Sequence, residues 1–247
     1  MMKISFCSQI KNRFNQFSQT FAHNLDKINN HDNTEWLIVD CGSDDGLKEF
    51  MREFTASRVE PRIKYYQAVD YDSYSIPIAK NFSARLSSGD YIFNLDVDNF
   101  ISDVTETITE KGEDVGIYCN VFKLGIYGRL GCSRRMFKKV GGYNESFFPA
   151  GKHETDLRLR CSELLGYRFE DVACKIPAIS NSKEDTIKHT KSSMSWKTMN
   201  FINQCKMKVS LSEKDYHPNK KFTGCEFIKD FKEKTRLEEY EFYVDAQ

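Results

Sequence analysis

Through its first hundred residues the chain alternates short apolar runs with segments whose apolar positions recur every three or four residues. KISFCS (3–8), EWLIVD (35–40), RIKYYQ (62–67) and DYIFNLD (90–96) are short, apolar and bounded by turn residues, which predicts four strands. Between the first two, RFNQFSQTFAHNLDKI (13–28) places Phe14, Phe17, Phe21 and Leu25 on one helical face. GSDDG (42–46) is turn chemistry ahead of a helix over roughly 47–56. Ser75 is placed to cap a further helix that carries Pro77 in its first turn, and Gly89 to end it. Strands alternating with helices in this way predict βαβ units. The expected fold class is therefore α/β, a Rossmann-like, mostly parallel sheet flanked by helices.

Beyond Asp98 the rhythm breaks. A short amphipathic segment is followed by a strand near 115–122, a glycine-punctuated stretch from Lys123 to Phe147, and a helical pattern in ETDLRLRCSELLG (154–166). From about residue 180 the chain is polar and rich in lysine, with SMSWKTMNFINQCKM as its one convincing helix. This divides the chain into a main domain over 1–180, with halves at 1–100 and 101–180, and a helical C-terminal extension over 181–247 that packs on it. A chain of 247 residues suffices for a sizeable core.

The 36 basic and 36 acidic residues cancel, so no global field recruits nucleic acid or an anionic membrane, while a local basic patch stays open. Eight cysteines without a C-x-x-C pair lack the common zinc spacing, and most lie in apolar runs where a reduced thiol packs as a small hydrophobe. With no apolar run approaching ~20 residues, no transmembrane segment is expected and the expected setting is cytoplasmic.

The stretch DYIFNLDVDNF raises the chemical question, because Asp96 and Asp98 close an apolar strand with two like charges one residue apart. Ligands of parallel sheets bind at the carboxyl ends of strands, where Asp40 closes LIVD as well. A calcium loop would need a glycine soon after the acids, and DVDNFISD has none. A divalent ion shared between a carboxylate and a diphosphate fits, and hard oxygen ligands on an open site suit Mg2+ or Mn2+.

Taken in order, FCSQIKNR, LIVDCGSDDG, IAKNFSARLSSGDYIFNLDVDNF and GCSRRMFKKVGGYNESFFPAGKHETDLRLR resemble the GT-A glycosyltransferases, in particular the family-2-like enzymes with a galactosyltransferase-type C-terminal motif. The resemblance runs over roughly residues 3–166. It implies a nucleoside-diphosphate sugar donor, with Arg13 at the nucleotide, Asp40 at the base edge, Lys80 and Asn81 near the diphosphate, and Asp96 facing the ribose and metal-bound water. Asp98 is then the metal ligand, and His189 a third ligand from a C-terminal loop. Lys80 stands where the family usually has arginine, which loses the bidentate fork. FFPAGKHETDLRLR is similar to the acceptor-side motif G-x-E-D-x-D-L-x-x-R and puts Glu154 on the catalytic-base position, with His153 where a glutamate is usual. Without the resemblance, Glu154 and Asp156 read equally as first-turn acids at a helix start. Trp196 either stacks on a sugar or anchors the C-terminal helix.

The implied activity is metal-dependent inverting transfer from a nucleoside-diphosphate sugar, a UDP-sugar by preference, to an acceptor hydroxyl of a glycan, a lipid-linked carrier or another molecule. A modified phage DNA base would use the same donor half, though the balanced charge disfavours it. A nucleotidyltransferase would want a glycine-rich loop after the first strand, and SQIKNRFNQF contains no glycine. A non-catalytic sugar-nucleotide binder would keep Asp40 without needing Glu154.

Overall fold

The computed structural model describes residues 1–57 and 60–241. In chain order the first half comprises β1 (Ile4–Ile10), α1 (Phe14–Asn29), β2 (Thr34–Asp40), α2 (Leu47–Ser57), β3 (Ile63–Ala68), α3 (Ile76–Leu86) and β4 (Tyr91–Asn94). There follow α4 (Val104–Lys111), β5 (Val115–Val121), β6 (Ile126–Ser133), α5 (Arg134–Lys139), α6 (His153–Leu159) and β7 (Arg168–Asp171). The chain closes with α7 (Lys183–Ile187), α8 (Trp196–Ser212), β8 (Lys221–Phe222), β9 (Cys225–Lys229), β10 (Glu233–Leu237) and β11 (Tyr240–Glu241).

Nine strands form one sheet in the order β10-β9-β3-β2-β1-β4-β6-β5-β7. The block from β3 to β4 is parallel, as the alternation of strands and helices predicts. Every residue of β1 and β2 is buried, as befits central strands covered on both faces. On one face α1 lays Phe17 and Phe21 against Trp36, with ring centroids 5.7 and 5.6 Å away. On the other, Ala79 and Phe82 of α3 pack with Leu37 and Val39 of β2 and Phe227 of β9.

Three features depart from the sequence expectation. First, α3 ends at Leu86, and Ser87 is already extended. Gly89 is needed three residues later, where a Cβ would stand 2.5 Å from Ser5 Oγ and 2.8 Å from the Lys3 carbonyl. Second, the glycine-punctuated stretch contains β6, antiparallel between β4 and β5. Gly131 lies in that strand because the Phe93 and Tyr91 side chains cross its backbone, leaving a Cβ 2.6 and 2.8 Å from them. Third, the C-terminal region carries α8 as expected but also β9 and β10. β9 adds antiparallel to β3, so residues beyond 180 extend the main sheet.

Candidate active site

The carboxyl ends of β1 and β4 open into a cavity of about 590 Å³, bounded on its far side by α6 and the α7–α8 segment. Its floor is the turn after β4, which is held by backbone contacts. Leu95 N–H donates to the Cys7 carbonyl at 2.9 Å, Ser8 Oγ donates to the Leu95 carbonyl at 2.6 Å, and Thr20 Oγ1 donates to the Val97 carbonyl at 2.8 Å. Leu95 is buried in the core, and Asp96, the nearly buried Val97 and Asp98 line the cavity.

The surroundings of the two acids differ. Asp96 Oδ1 accepts from Asn94 Nδ2 at 2.9 Å and Gln9 Nε2 at 3.4 Å, and lies 3.6 Å from Lys80 Nζ. Asp98 Oδ1 accepts from Asn99 Nδ2 at 2.6 Å. Burial, together with the neighbouring Asp96 charge, pushes the Asp98 carboxyl up to about 6. Asn99 is fixed in turn by Arg129 of β6, whose Nε donates to Asn99 Oδ1 at 2.9 Å and whose Nη1 donates to the Phe100 carbonyl at 2.9 Å. Arg129 is 1% exposed.

Glu154 belongs to the first turn of α6, after a loop that the chain fixes with care. Gly151 has φ +95° and Lys152 φ +69°. A side chain on Gly151 would meet Asn200 Oδ1 at 2.7 Å. Asn203 of α8 pins the same loop, donating from Nδ2 to the carbonyls of Phe148, Ala150 and Gly151 at 2.9–3.0 Å. Lys80, 3% exposed, forms an ion pair with Glu154 Oε1 and so lies between that acid and Asp96. Burial by itself would raise the Glu154 carboxyl, but the adjacent His153 and Lys80 outweigh it and hold it below its ordinary value. Burial likewise opposes the charge on Lys80, and Asp96 and Glu154 override it. His153 is buried, and its pKa is lowered chiefly by desolvation.

Asp156 takes no part in the cavity. Its Oδ2 accepts from Arg160 Nε and Nη2 at 2.9 and 2.7 Å, both residues are 0% exposed, and Arg160 also donates to the carbonyls of Val140 and Gly142. The stretch HETDLRLR thus separates into a cavity acid, Glu154, and a buried anchor for α6, Asp156 with Arg160.

The structure therefore gathers six of the predicted residues, Arg13, Lys80, Asp96, Asp98, Glu154 and His189, around one cavity. Arg13 Nη1 donates to Asn181 Oδ1 at 2.5 Å, and His189 Nδ1 stands 3.4 Å from Asn12 Nδ2. The other two, Asp40 and Asn81, are not brought to its wall. Asp40 is 0% exposed, its Oδ1 accepting from Ser43 N–H at 2.7 Å and its Oδ2 from the Tyr65 hydroxyl at 2.6 Å, which fixes its carboxylate at the end of β2. Asn81, also 0% exposed, donates to the Tyr143 carbonyl and Glu145 at 2.8 Å and accepts from Tyr143 N–H at 2.9 Å. These bonds staple α3 to the 143–145 turn. Gln9, Lys11, Tyr74 and Tyr118 line the cavity without having been singled out. Only the position of Gln9 and Lys11 at the end of β1 could have pointed to them. Trp196 lines the cavity with Lys183 Nζ 4.9 Å from its ring centre.

Among the described residues no three His, Cys, Asp or Glu side chains are gathered as a ready metal cage. The donor set nevertheless fits a hard cation completed by substrate oxygens. Two carboxylates, Asp96 and Asp98, line the same cavity one residue apart and offer hard oxygen ligands to its open space.

Residues 5–147, which run from the second residue of β1 past the end of α5 and include both cavity aspartates, match the family described as glycosyl transferase family 2. No curated protein sequence matches the chain. Among solved structures the fold is similar to the mannosyltransferase PcManGT from Pyrobaculum calidifontis in complex with GDP-Man and Mn2+, with a TM-score of 0.61 and 12% identity over 85% of this chain and 70% of that one. It is also similar to S. aureus TarS 1–349 in complex with UDP, with a TM-score of 0.55 and 14% identity over 85% and 72% of the two chains. For TarS 1–349 in complex with UDP-GlcNAc the TM-score is 0.57 at 13% identity, over 80% and 64%. At such identities the likeness is one of fold, which is that of the GT-A glycosyltransferases. The family match spans more than half of the sequence, and the chain accordingly belongs to glycosyl transferase family 2.

Proposed function

We propose that the protein transfers a sugar, with inversion at the anomeric carbon, from a nucleoside-diphosphate sugar to an acceptor hydroxyl, and that a divalent cation assists. The observation that carries this reading is one cavity with Glu154 on one wall, Asp96 and Asp98 on another, and the buried ammonium of Lys80 between them. Glu154, held as a carboxylate by its neighbours, accepts the proton of the acceptor hydroxyl. The acceptor oxygen forms its bond to the anomeric carbon on the face opposite the bond that breaks, and that bond's electron pair leaves with the diphosphate. Lys80 and Arg13 supply fixed positive charge at this end of the cavity. Asp98, with Asp96 and His189 on the same cavity, would hold Mn2+ or Mg2+, whose chemistry when bound is to neutralise the departing diphosphate.

The similar structures in complex with GDP-Man and with UDP-GlcNAc support a nucleotide-sugar donor, and a UDP-sugar is our first choice for this chain. The acceptor is a glycan, a lipid-linked carrier or another hydroxyl compound.

A screen of nucleotide sugars by thermal shift, with and without Mn2+, tests the reading. The wild type should be stabilised by one donor in a Mn2+-dependent way. Asp98→Asn should lose that dependence, and Glu154→Gln should keep it while kcat falls by roughly 10²–10⁴-fold. Undiminished turnover in Glu154→Gln, or retained Mn2+ dependence in Asp98→Asn, refutes the corresponding role, and the anomeric configuration of the product decides inversion.

A further inference from the structure

Among the described residues the large apolar side chains left exposed are Met1, Val69, Phe201 and Val209. Two of these four lie on α8, two turns apart on one face, and the exposed Cys205 sits between them. The opposite face of α8 packs Met199, Asn203 and Met207 onto the domain, so Phe201, Cys205 and Val209 point outward as a stripe at i, i+4 and i+8. Lys197 and Lys208 are exposed on the same outward side. The charge of the whole segment is one-sided: residues 186–212 contain five lysines and no acid, in a chain whose net charge is zero.

An apolar stripe alone would not identify its partner. Combined with lysines and the absence of acids, it has the composition of a helix that lies in the interface of a negatively charged bilayer, apolar side chains among the acyl chains and ammonium groups at the lipid phosphates. We propose that the outward face of α8 docks the protein on an anionic lipid surface. The attachment proposed is peripheral and reversible, through side chains of one helix face. Trp196 and Asn200, which line the cavity, belong to the inward side of the same helix, together with Met199, Asn203 and Met207.

Co-sedimentation of the full chain with vesicles tests this without any dependence on activity. The wild type should pellet with vesicles containing about 30 mol% phosphatidylglycerol, stay in solution with purely zwitterionic vesicles, and be released by about 0.5 M salt. Lys197→Gln/Lys208→Gln should weaken anionic binding by about 30-fold, and Phe201→Asp/Val209→Asp by at least about 10-fold. Both variants should melt with the wild type, because the side chains are exposed. Failure of the wild type to bind anionic vesicles at low salt, or equal binding by the variants, overturns the proposal. It is also overturned if the wild type is a dimer that Phe201→Asp/Val209→Asp converts to a monomer, with no vesicle binding by either. The stripe would then be a contact between two copies of the chain.

Discussion

A buried ammonium within reach of two carboxylates, as in Lys80, does two jobs at once. It compensates charges that could not otherwise stay out of water, and it sets the basicity of the acid it touches. Replacing it by methionine keeps the volume and leaves Asp96 and Glu154 without their shared counterion. We expect Lys80→Met to lose about 2–4 kcal/mol of stability. The sign of the kinetic effect follows from Glu154. In the wild type its pKa is lowered, partly by Lys80, so Glu154, as the base we propose, stays ionised down to a pH below the ordinary carboxylate range. Without Lys80 the pKa rises, and the acid limb of the kcat/KM profile should move to higher pH. An acid limb that stays in place would mean that Glu154 is not the base. At this scale the sequence was uneven. Glu154, Asp96 and Asp98 could be found because spacing relative to a strand end or a helix start decides where they point. Asp40 sits at an equivalent strand end, yet the Tyr65 hydroxyl from the next strand claims its carboxylate, a pairing that no local pattern reveals.

Among the elements, β1, β2 and β3 are tied together at the end remote from the cavity by Glu35. Its carboxylate accepts from Ser5 Oγ at 2.6 Å, Lys64 Nζ at 2.6 Å and Ser88 N–H at 2.7 Å, with Lys3 Nζ 2.9 Å away. Burial raises the pKa of this group, but the Lys64, Ser5, Ser88 and Lys3 contacts more than reverse the effect and depress it. A depressed carboxylate contributes stability above its unfolded pKa, near 4.5, and loses that contribution as pH falls toward the folded value. Glu35→Gln should therefore cost about 1–3 kcal/mol at pH 7, the partial exposure of Lys3 and Lys64 limiting the figure. Melting curves of both proteins should converge as the pH is lowered below about 4.5. A gap independent of pH would assign the loss to packing. The same elements explain what could be read beforehand. The parallel block was legible because its strands are short, apolar-rich runs that alternate with helical patterns. β6 was not, because Gly131 and its neighbours serve crossing aromatic rings and not a propensity.

Over the whole molecule, the C-terminal hairpin is the piece that local pattern could not place. β9 and β10 are polar on their exposed positions and short, and only the edge of β3, far away in sequence, makes them strands. Their removal should be severe. A chain ending at residue 220 loses Cys225 and Phe227, buried at 1% and 0% exposure, together with the Arg85 contacts to the Thr223 and Glu238 carbonyls. It also bares the β3 edge, and unpaired edges promote aggregation. We expect this truncated chain to collect in the insoluble fraction, and a soluble product melting near the wild type would show that the hairpin is dispensable. The β3–β9 seam also has a consequence in time. Tyr65 N–H bonds to Asp230 Oδ1 across 165 residues of chain, so the sheet's outer edge is sealed only when nearly all of the polypeptide is available. On a ribosome the nucleotide-side strands would wait with an open edge while the remainder is synthesised, and long-range pairings of this kind are slow to form. Refolding from denaturant should accordingly show amides of β1 and β2 protected before those of β3 and β9, which makes the nascent chain, more than the finished enzyme, the stage most exposed to misassembly.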